Sequence, residues 1–265
     1  MVKLNQIKAW QHLIKYKPLL RELVVRDLKV KYRRRFLGYL WSLLNPLMMM
    51  AVMSVVFSFM FRSNIENFPL YLICGNTLWA FFSESTTMSM HSVLANGALI
   101  KKVYIPKFIF PISRVLSCFV TMSFSLIAIL IVMVVTRTPF RLPILLFPVP
   151  LVLLLVFCMG IGMVLSAFAV YFRDIVHLYG VITMAWMYGT PIFYPLDPEV
   201  LPQALIQIIK LNPMYHYINF FRQIVLYGQV PGAGTWIACA VSALISLVIG
   251  LAIFRKMQKN FILYL

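Results

Sequence analysis

Residues 36–61 read FLGYLWSLLNPLMMMAVMSVVFSFMF, with no Asp, Glu, Lys or Arg among them. A helix crossing the hydrocarbon core of a bilayer needs about 20 consecutive apolar residues, so this stretch predicts a membrane span. Outward from it the same pattern recurs. Residues 67–100 are apolar apart from Glu84, 108–136 carry only Arg114, and 142–172, 175–196 and 235–254 complete a set of six. The chain therefore reads as an all-α polytopic membrane protein of six transmembrane helices. Between the last two runs, residues 195–234 are too polar and too rich in Pro and Gly for a straight span, although 204–209 and 215–226 are apolar with a helical period. Short apolar helices of that kind are re-entrant or interfacial.

The composition agrees. Of the 265 residues, 62% are hydrophobic and 12% charged, against about 45–50% and 25% in a water-soluble domain. The mean hydropathy is +0.89, and an ordinary cytosolic fold is excluded. Lys and Arg outnumber Asp and Glu by 24 to 7. Eleven of these cations precede residue 36, and most of the others flank apolar runs. With the N-terminus inside, the inner loops hold eighteen cations and the outer ones five, Arg62, Arg137, Arg141, Lys210 and Arg222. That is the positive-inside bias, so the charge reports topology rather than a nucleic-acid partner, and both termini are expected in the cytoplasm. The first 35 residues have no apolar stretch of signal-peptide type, so the first span is expected to be its own uncleaved anchor.

Residues 1–35 read as a basic amphipathic helix in the cytoplasmic interface, and 36–265 as the six-span domain with 195–234 as an extracytoplasmic re-entrant segment. In the first segment Ile7, Trp10, Leu13, Ile14, Leu20, Leu23, Val24 and Leu28 recur at three- and four-residue steps with cations between them. Glu22 with Arg26 and Asp27 with Lys31 stand at i,i+4, acid before base, an arrangement that supports a helix.

Catalytic chemistry is scarce. The seven carboxylates suggest no acid–base pair, and His12, His91, His177 and His216 are scattered. No phosphate-binding G-x-x-x-x-G-K-[ST] loop occurs, so energised work requires a partner that supplies the energy. Cys74, Cys118, Cys158 and Cys239 stand singly in apolar stretches, which indicates neither a disulfide framework nor a zinc site. Glu84, beside Ser83, Ser85, Thr86 and Thr87, is the exception. A carboxylate within a span lines a transport path or faces a polar seam between helices, with His91 and Arg114 as candidate partners.

Several blocks resemble one family. Arg26-Asp27-Leu28-Lys29-Val30-Lys31-Tyr32-Arg33, followed by Leu37-Gly38-Tyr39-Leu40-Trp41-Ser42-Leu43-Leu44-Asn45-Pro46-Leu47, resembles the opening signature of ABC-2 type permeases that export polysaccharides. The similarity continues in Lys107-Phe108-Ile109-Phe110-Pro111, Tyr171-Phe172-Arg173-Asp174-Ile175, Thr190-Pro191-Ile192-Phe193-Tyr194-Pro195, and Leu211-Asn212-Pro213 with Phe221-Arg222, in the family's order over almost the whole chain. The resemblance implies a non-catalytic permease in the bacterial cytoplasmic membrane, working as a homodimer with two copies of a cytoplasmic ATP-binding subunit. This chain would hold no cofactor, and ATP and Mg would be bound by that partner. The implied substrate is a lipid-linked glycan such as O-antigen, wall teichoic acid, capsule or a rhamnose-rich polymer.

Coupling to the ATPase is assigned on that basis to Glu22, Arg26 and Asp27 of the amphipathic helix and to Lys101, Lys102 and Tyr104 of a short helix after the break at Asn96-Gly97. Arg173 and Asp174 at a cytoplasmic turn fit either a local ion pair or ATPase contact. The substrate path is expected between the first, second and fifth spans of two subunits. Its candidate lining is Tyr39, Trp41, Tyr71, Trp79, Phe82, Glu84, Tyr188, Phe193, Tyr194, Tyr215 and Phe220, since rings stack on sugar faces without the cost of burying charge in lipid. Aromatics also form interfacial belts and ordinary packing. Lys210 and Arg222 fit contact with a carrier's pyrophosphate or with headgroups. Asn45-Pro46 reads as a kink in the first span. Two other functions fit parts of the pattern, an ABC-2 permease for small hydrophobic compounds and an integral-membrane enzyme acting on lipid-linked sugars.

Overall fold

The computed structural model describes residues 16–32, 40–61, 65, 67–103, 105–198 and 201–264. Among them all regular structure is helical. In order they are α1 (Lys17–Tyr32), α2 (Leu40–Phe61), α3 (Phe68–Ala95), α4 (Gly97–Lys102), α5 (Ile109–Val135), α6 (Pro148–Tyr171), α7 (Ile175–Tyr188), α8 (Gln203–Lys210), α9 (Pro213–Val225), α10 (Ala233–Met257) and α11 (Phe261–Tyr264). Three stretches, Ile109–Val135, Leu142–Tyr171 and Ala233–Tyr264, are long and apolar enough to cross a membrane, and two shorter apolar helices, Leu40–Val56 and Ile175–Tyr188, accompany them. The chain is thus a multi-pass helical membrane protein.

The centre of the bundle is α3, packed against α2, α5, α6 and α9 and buried along most of its length. It is also the most polar of the long helices, because a helix shielded from lipid can carry hydroxyls if each finds a partner inside. Ser85 and Thr86 donate to Phe82 O at 3.1 and 2.7 Å, Ser92 to Ser89 O at 2.6 Å, and Ser89 crosses to Pro111 O on α5 at 3.1 Å. Tyr179 of α7 donates to Thr86 Oγ1 at 2.6 Å. By contrast α7 buries only Tyr179 and Thr183, and Val181 is 71% exposed.

The closest helix contact joins α6 to α10. A Cβ on Gly250 would fall 2.4 Å from Gly160 O, and one on Gly160 2.3 Å from Ser246 O. Two backbones meet there only because both positions lack a side chain. Ser246 Oγ donates to Phe157 O at 2.8 Å across the same seam. Aromatic rings fill the middle of the bundle. Phe82 lies 5.9 Å from Phe157 and 5.0 Å from Trp186, Trp79 6.3 Å from Trp186, and Phe157 5.5 Å from Tyr217.

The expected run 175–196 is helical only to Tyr188. Pro191 carries no backbone N–H and disfavours helix before it, and the chain turns through Gly189 and Thr190 instead. Trp186 Nε1 donates to Asn212 Oδ1 at 2.8 Å, and Asn212 Nδ2 to Thr190 Oγ1 at 2.8 Å, which pins that turn to the start of α9. The apolar stretches 204–209 and 215–226 form α8 and α9. At the other end of the bundle the C-terminal turn is held by Lys107, which donates to Gln258 O at 2.7 Å and lies over the Phe261 ring. Burial lowers the Lys107 pKa below the usual lysine value.

Candidate functional site

The amphipathic character of the N-terminal segment is realised in α1, which lies against α5. Leu23 enters an apolar cluster with Val93, Ile100, Ile109, Phe110 and Phe254. Charge fixes the rest of the docking. Asp27 is 8% exposed and receives Arg114 Nη1 of α5 at 3.0 Å and the neighbouring Arg26 at 3.3 Å. Ser117 Oγ donates to Asp27 Oδ2 at 3.4 Å, so the carboxylate is met from three sides, as a buried charge must be. One turn on, Lys31 Nζ reaches Glu84 Oε1 on α3 at 2.5 Å.

These partners differ from the ones expected along the sequence. Asp27 pairs with Arg26 and Arg114 instead of Lys31, and Glu84 with Lys31 instead of His91 or Arg114. Helix α1 is therefore joined by ion pairs to two helices of the bundle at once. Arg26 also donates to Asn96 Oδ1 at 3.5 Å, at the break between α3 and α4. The exposed Lys101 and Lys102 end α4.

Beyond Glu84 a cavity of about 260 Å³ opens between α2, α3 and α5. Its polar lining is Asn45, Asn76, Thr77, Glu84, Thr121 and Ser125. Thr77 is 4% exposed, and its Oγ1 is buried with no hydrogen-bond partner. Ser125 Oγ donates to Ser42 O at 3.1 Å and Thr121 Oγ1 to Ser117 O at 3.1 Å, which leaves their lone pairs free to accept. The apolar wall is Pro46, Met49, Phe81 and Met122. Asn76, Thr77, Thr121 and Ser125 were not among the expected site residues, although a signal exists. Asn76, Ala80 and Glu84 on α3, and Thr121 and Ser125 on α5, recur at four-residue steps, and such spacing places polar groups on one helix face.

The opposite end of α3 carries the second arginine site. Arg222 of α9 is 4% exposed. It donates through Nε and Nη2 to Tyr71 O at 3.2 and 3.1 Å, through Nη1 to Pro191 O at 2.7 Å, and through Nη2 to Ile192 O at 3.0 Å. Its guanidinium lies over the Tyr71 ring at 3.3 Å. Tyr71 Oη in turn donates to Tyr194 O at 2.9 Å. Arg222 therefore staples α9, α3 and the turn after α7, with its donors directed at backbone carbonyls within the protein. Gly75 leaves room for it, since a Cβ there would lie 2.6 Å from Arg222 Nη2.

The remaining candidate residues divide. Tyr71, Trp79, Phe82 and Phe220 are buried in the core, whereas Trp41 and Tyr188 are exposed and Phe193, Tyr194 and Tyr215 are partly so. Phe220 stacks near Trp236 at 4.7 Å. Glu22, Arg173, Asp174 and Lys210 are exposed, and the ion pairs among the described residues do not include one between Arg173 and Asp174. Tyr39, Tyr104 and the first part of the expected amphipathic helix lie outside the described residues.

Comparison with known proteins gives one consistent relationship. Residues 18–226 match the ABC-2 type transporter family. The chain is 31% identical over 256 residues to the O-antigen export system permease protein RfbA of Myxococcus xanthus, covering 96% of this chain and 98% of that one. It is 31% identical to the protein of the same name from Klebsiella pneumoniae, over 89% of this chain and 90% of the relative. The polysialic acid transport protein KpsM of Escherichia coli is 23% identical over 89% of this chain and 92% of its own length.

Proposed function

The chain belongs to the ABC-2 type transporter family, and from that premise we propose that it is the transmembrane subunit of an ATP-driven exporter that moves a lipid-linked polysaccharide outward from the cytoplasmic face. The observation that carries the reading is the end-to-end similarity to permeases named for O-antigen export. The substrate is an O-antigen, capsule, wall teichoic acid or rhamnan type of polymer.

In this reading the subunit crosses the inner membrane six times with both termini in the cytoplasm, and α8 and α9 form the extracytoplasmic re-entrant segment. It works as a homodimer with two copies of a cytoplasmic ATP-binding subunit, which holds ATP and Mg. The exposed apolar faces of α7 and α2 are open to lipid or to a second subunit. The path runs between the first, second and fifth spans of the two subunits. Its aromatic lining is then drawn from the open rings of Trp41, Tyr188, Phe193, Tyr194 and Tyr215, while the buried rings hold the subunit together.

ATP-driven closure of the partner pushes on the surface made by Glu22, Arg26, Lys101, Lys102, Arg173 and Asp174. Because α1 is tied to α5 through Asp27 and to α3 through Lys31, displacement of α1 moves both helices together. Deleting the gene and analysing surface glycan together with lipid-linked glycan inside the cell tests the proposal. Loss at the surface with accumulation inside is expected. Unchanged surface glycan with no trapped intermediate would overturn it.

A further inference from the structure

The cavity between α2, α3 and α5 is lined by residues of a single subunit. We propose that it is a binding site for one neutral, hydroxyl-rich sugar unit. The inference rests on the export reading for its choice of ligand source, and on the geometry for its chemistry.

Size comes first. At about 260 Å³ the space is just below the range of about 300–1,000 Å³ typical of sites that enclose drug-sized ligands. It is several times the roughly 30 Å³ that a water molecule occupies in the liquid. One monosaccharide unit fits and a run of polymer does not.

The lining decides the class. Two side-chain amides, Asn45 and Asn76, and three hydroxyls, Thr77, Thr121 and Ser125, supply donors and acceptors without charge. The one carboxylate, Glu84, is matched by Lys31 at 2.5 Å, so the mouth is close to neutral and offers no net attraction to a phosphate. Phe81, Pro46 and Met122 form an apolar side, as the C–H face of a pyranose requires. A hydrocarbon tail, in turn, would strand the amides and hydroxyls.

Thr77 Oγ1 is buried behind that wall with no hydrogen-bond partner. Thr121 and Ser125 each spend one donor inside the protein and keep lone pairs to accept from an occupant.

Ala80, exposed on the wall, provides the test as Ala80→Cys, because the native cysteines, Cys118 on the wall included, are buried. The full-length variant in native membranes is treated with the small cationic thiol reagent methanethiosulfonate ethylammonium, and modification is read at each cysteine by peptide mass spectrometry. The buried Cys158, which does not line the cavity, serves as the internal control. Methyl glycosides of glucose, mannose, rhamnose and galactose, and N-acetylglucosamine, are added as competitors, with the linear polyol mannitol as a control solute. The proposal expects the thiol of Ala80→Cys to react severalfold faster than Cys158, and at least one cyclic sugar to slow it severalfold while mannitol does not. Asn76→Leu, which removes an amide from the wall, is expected to raise the protecting concentration about tenfold.

Reaction at the thiol of Ala80→Cys that no sugar slows would overturn the proposal and leave a water-filled crevice. Absence of reaction there would overturn it as well, by showing the cavity closed to polar solutes. These outcomes are separate from the deletion phenotype. Sugar protection beside normal surface glycan in the deletion strain would sink the export reading and keep the site, and lost surface glycan beside an unprotected Ala80→Cys thiol would do the reverse.

Discussion

Arginines anchor both ends of the bundle, and they do so differently. At the α9 end Arg222 is bonded to the carbonyls of Tyr71, Pro191 and Ile192, groups that cannot move away without unfolding the backbone around them. At the α1 end Arg114 is bonded to Asp27, a side chain on a helix that is not itself a span. One end is closed by backbone and the other by exchangeable side-chain pairs. The difference teaches where motion can enter. On the coupling proposed above, a bundle pinned at one end and ion-paired at the other would transmit a push on α1 into α3 and α5 while α9 stays in place.

The comparison can be broken from its rigid side first. Arg222→Ala leaves three buried carbonyls without their donors, a loss of about 3–6 kcal/mol against a total stability of about 5–15 kcal/mol. Little folded protein should accumulate in membranes, as measured by quantitative immunoblot and thermal unfolding in detergent, and Arg222→Lys should rescue only part of it because one ammonium cannot span three carbonyls. Next in size, Gly250→Val forces the α6 and α10 backbones apart at Gly160, and overpacking of that kind costs about 1–3 kcal/mol or more, read as a lower unfolding temperature.

On the exchangeable side, Asp27→Ala leaves Arg114 buried without its anion, at a cost of about 3 kcal/mol. The bundle should still fold, and α1 should become accessible to limited proteolysis. Lys31→Ala breaks a pair in which both side chains are partly exposed, 26% and 40%, so stability falls by only about 0.5–1 kcal/mol while export falls much further. The charge swap Lys31→Glu with Glu84→Lys should restore export if the pair itself carries the coupling. The smallest change in stability, under about 0.5 kcal/mol, is expected for Lys101→Ala with Lys102→Ala on exposed α4. Export should drop there through lost coupling, measured as surface glycan at unchanged protein level.

What the sequence makes legible follows from which interactions are local. Charge-free runs marked the long helices, because lipid demands about 20 apolar residues whatever the neighbours are, and the three- and four-residue steps around Leu23 marked α1. The polarity of α3 was visible as Glu84 among Ser and Thr. Its meaning, a helix shielded on most sides, depended on packing. Partner choice was not legible. Asp27 and Lys31 sit at ideal i,i+4 spacing, yet each finds its partner on another helix, 87 and 53 residues away, and for Asp27 burial strengthens the attraction. The aromatic residues show the same limit. Phe82 and Tyr188 are alike in composition, but one is fully buried and the other 63% exposed, a difference set by α3 lying at the centre and α7 at the edge.

The central claim is tested most directly by transport in a defined membrane. The chain, purified together with its ATP-binding subunit, is placed in proteoliposomes that carry a lipid-linked glycan on one leaflet, and movement across the bilayer is followed by protection from an external glycosidase. The account predicts ATP-dependent protection that requires both subunits and is lost in the Lys31→Ala variant. ATP hydrolysis stimulated by small hydrophobic compounds, with the glycan left fully open to the glycosidase, would contradict it.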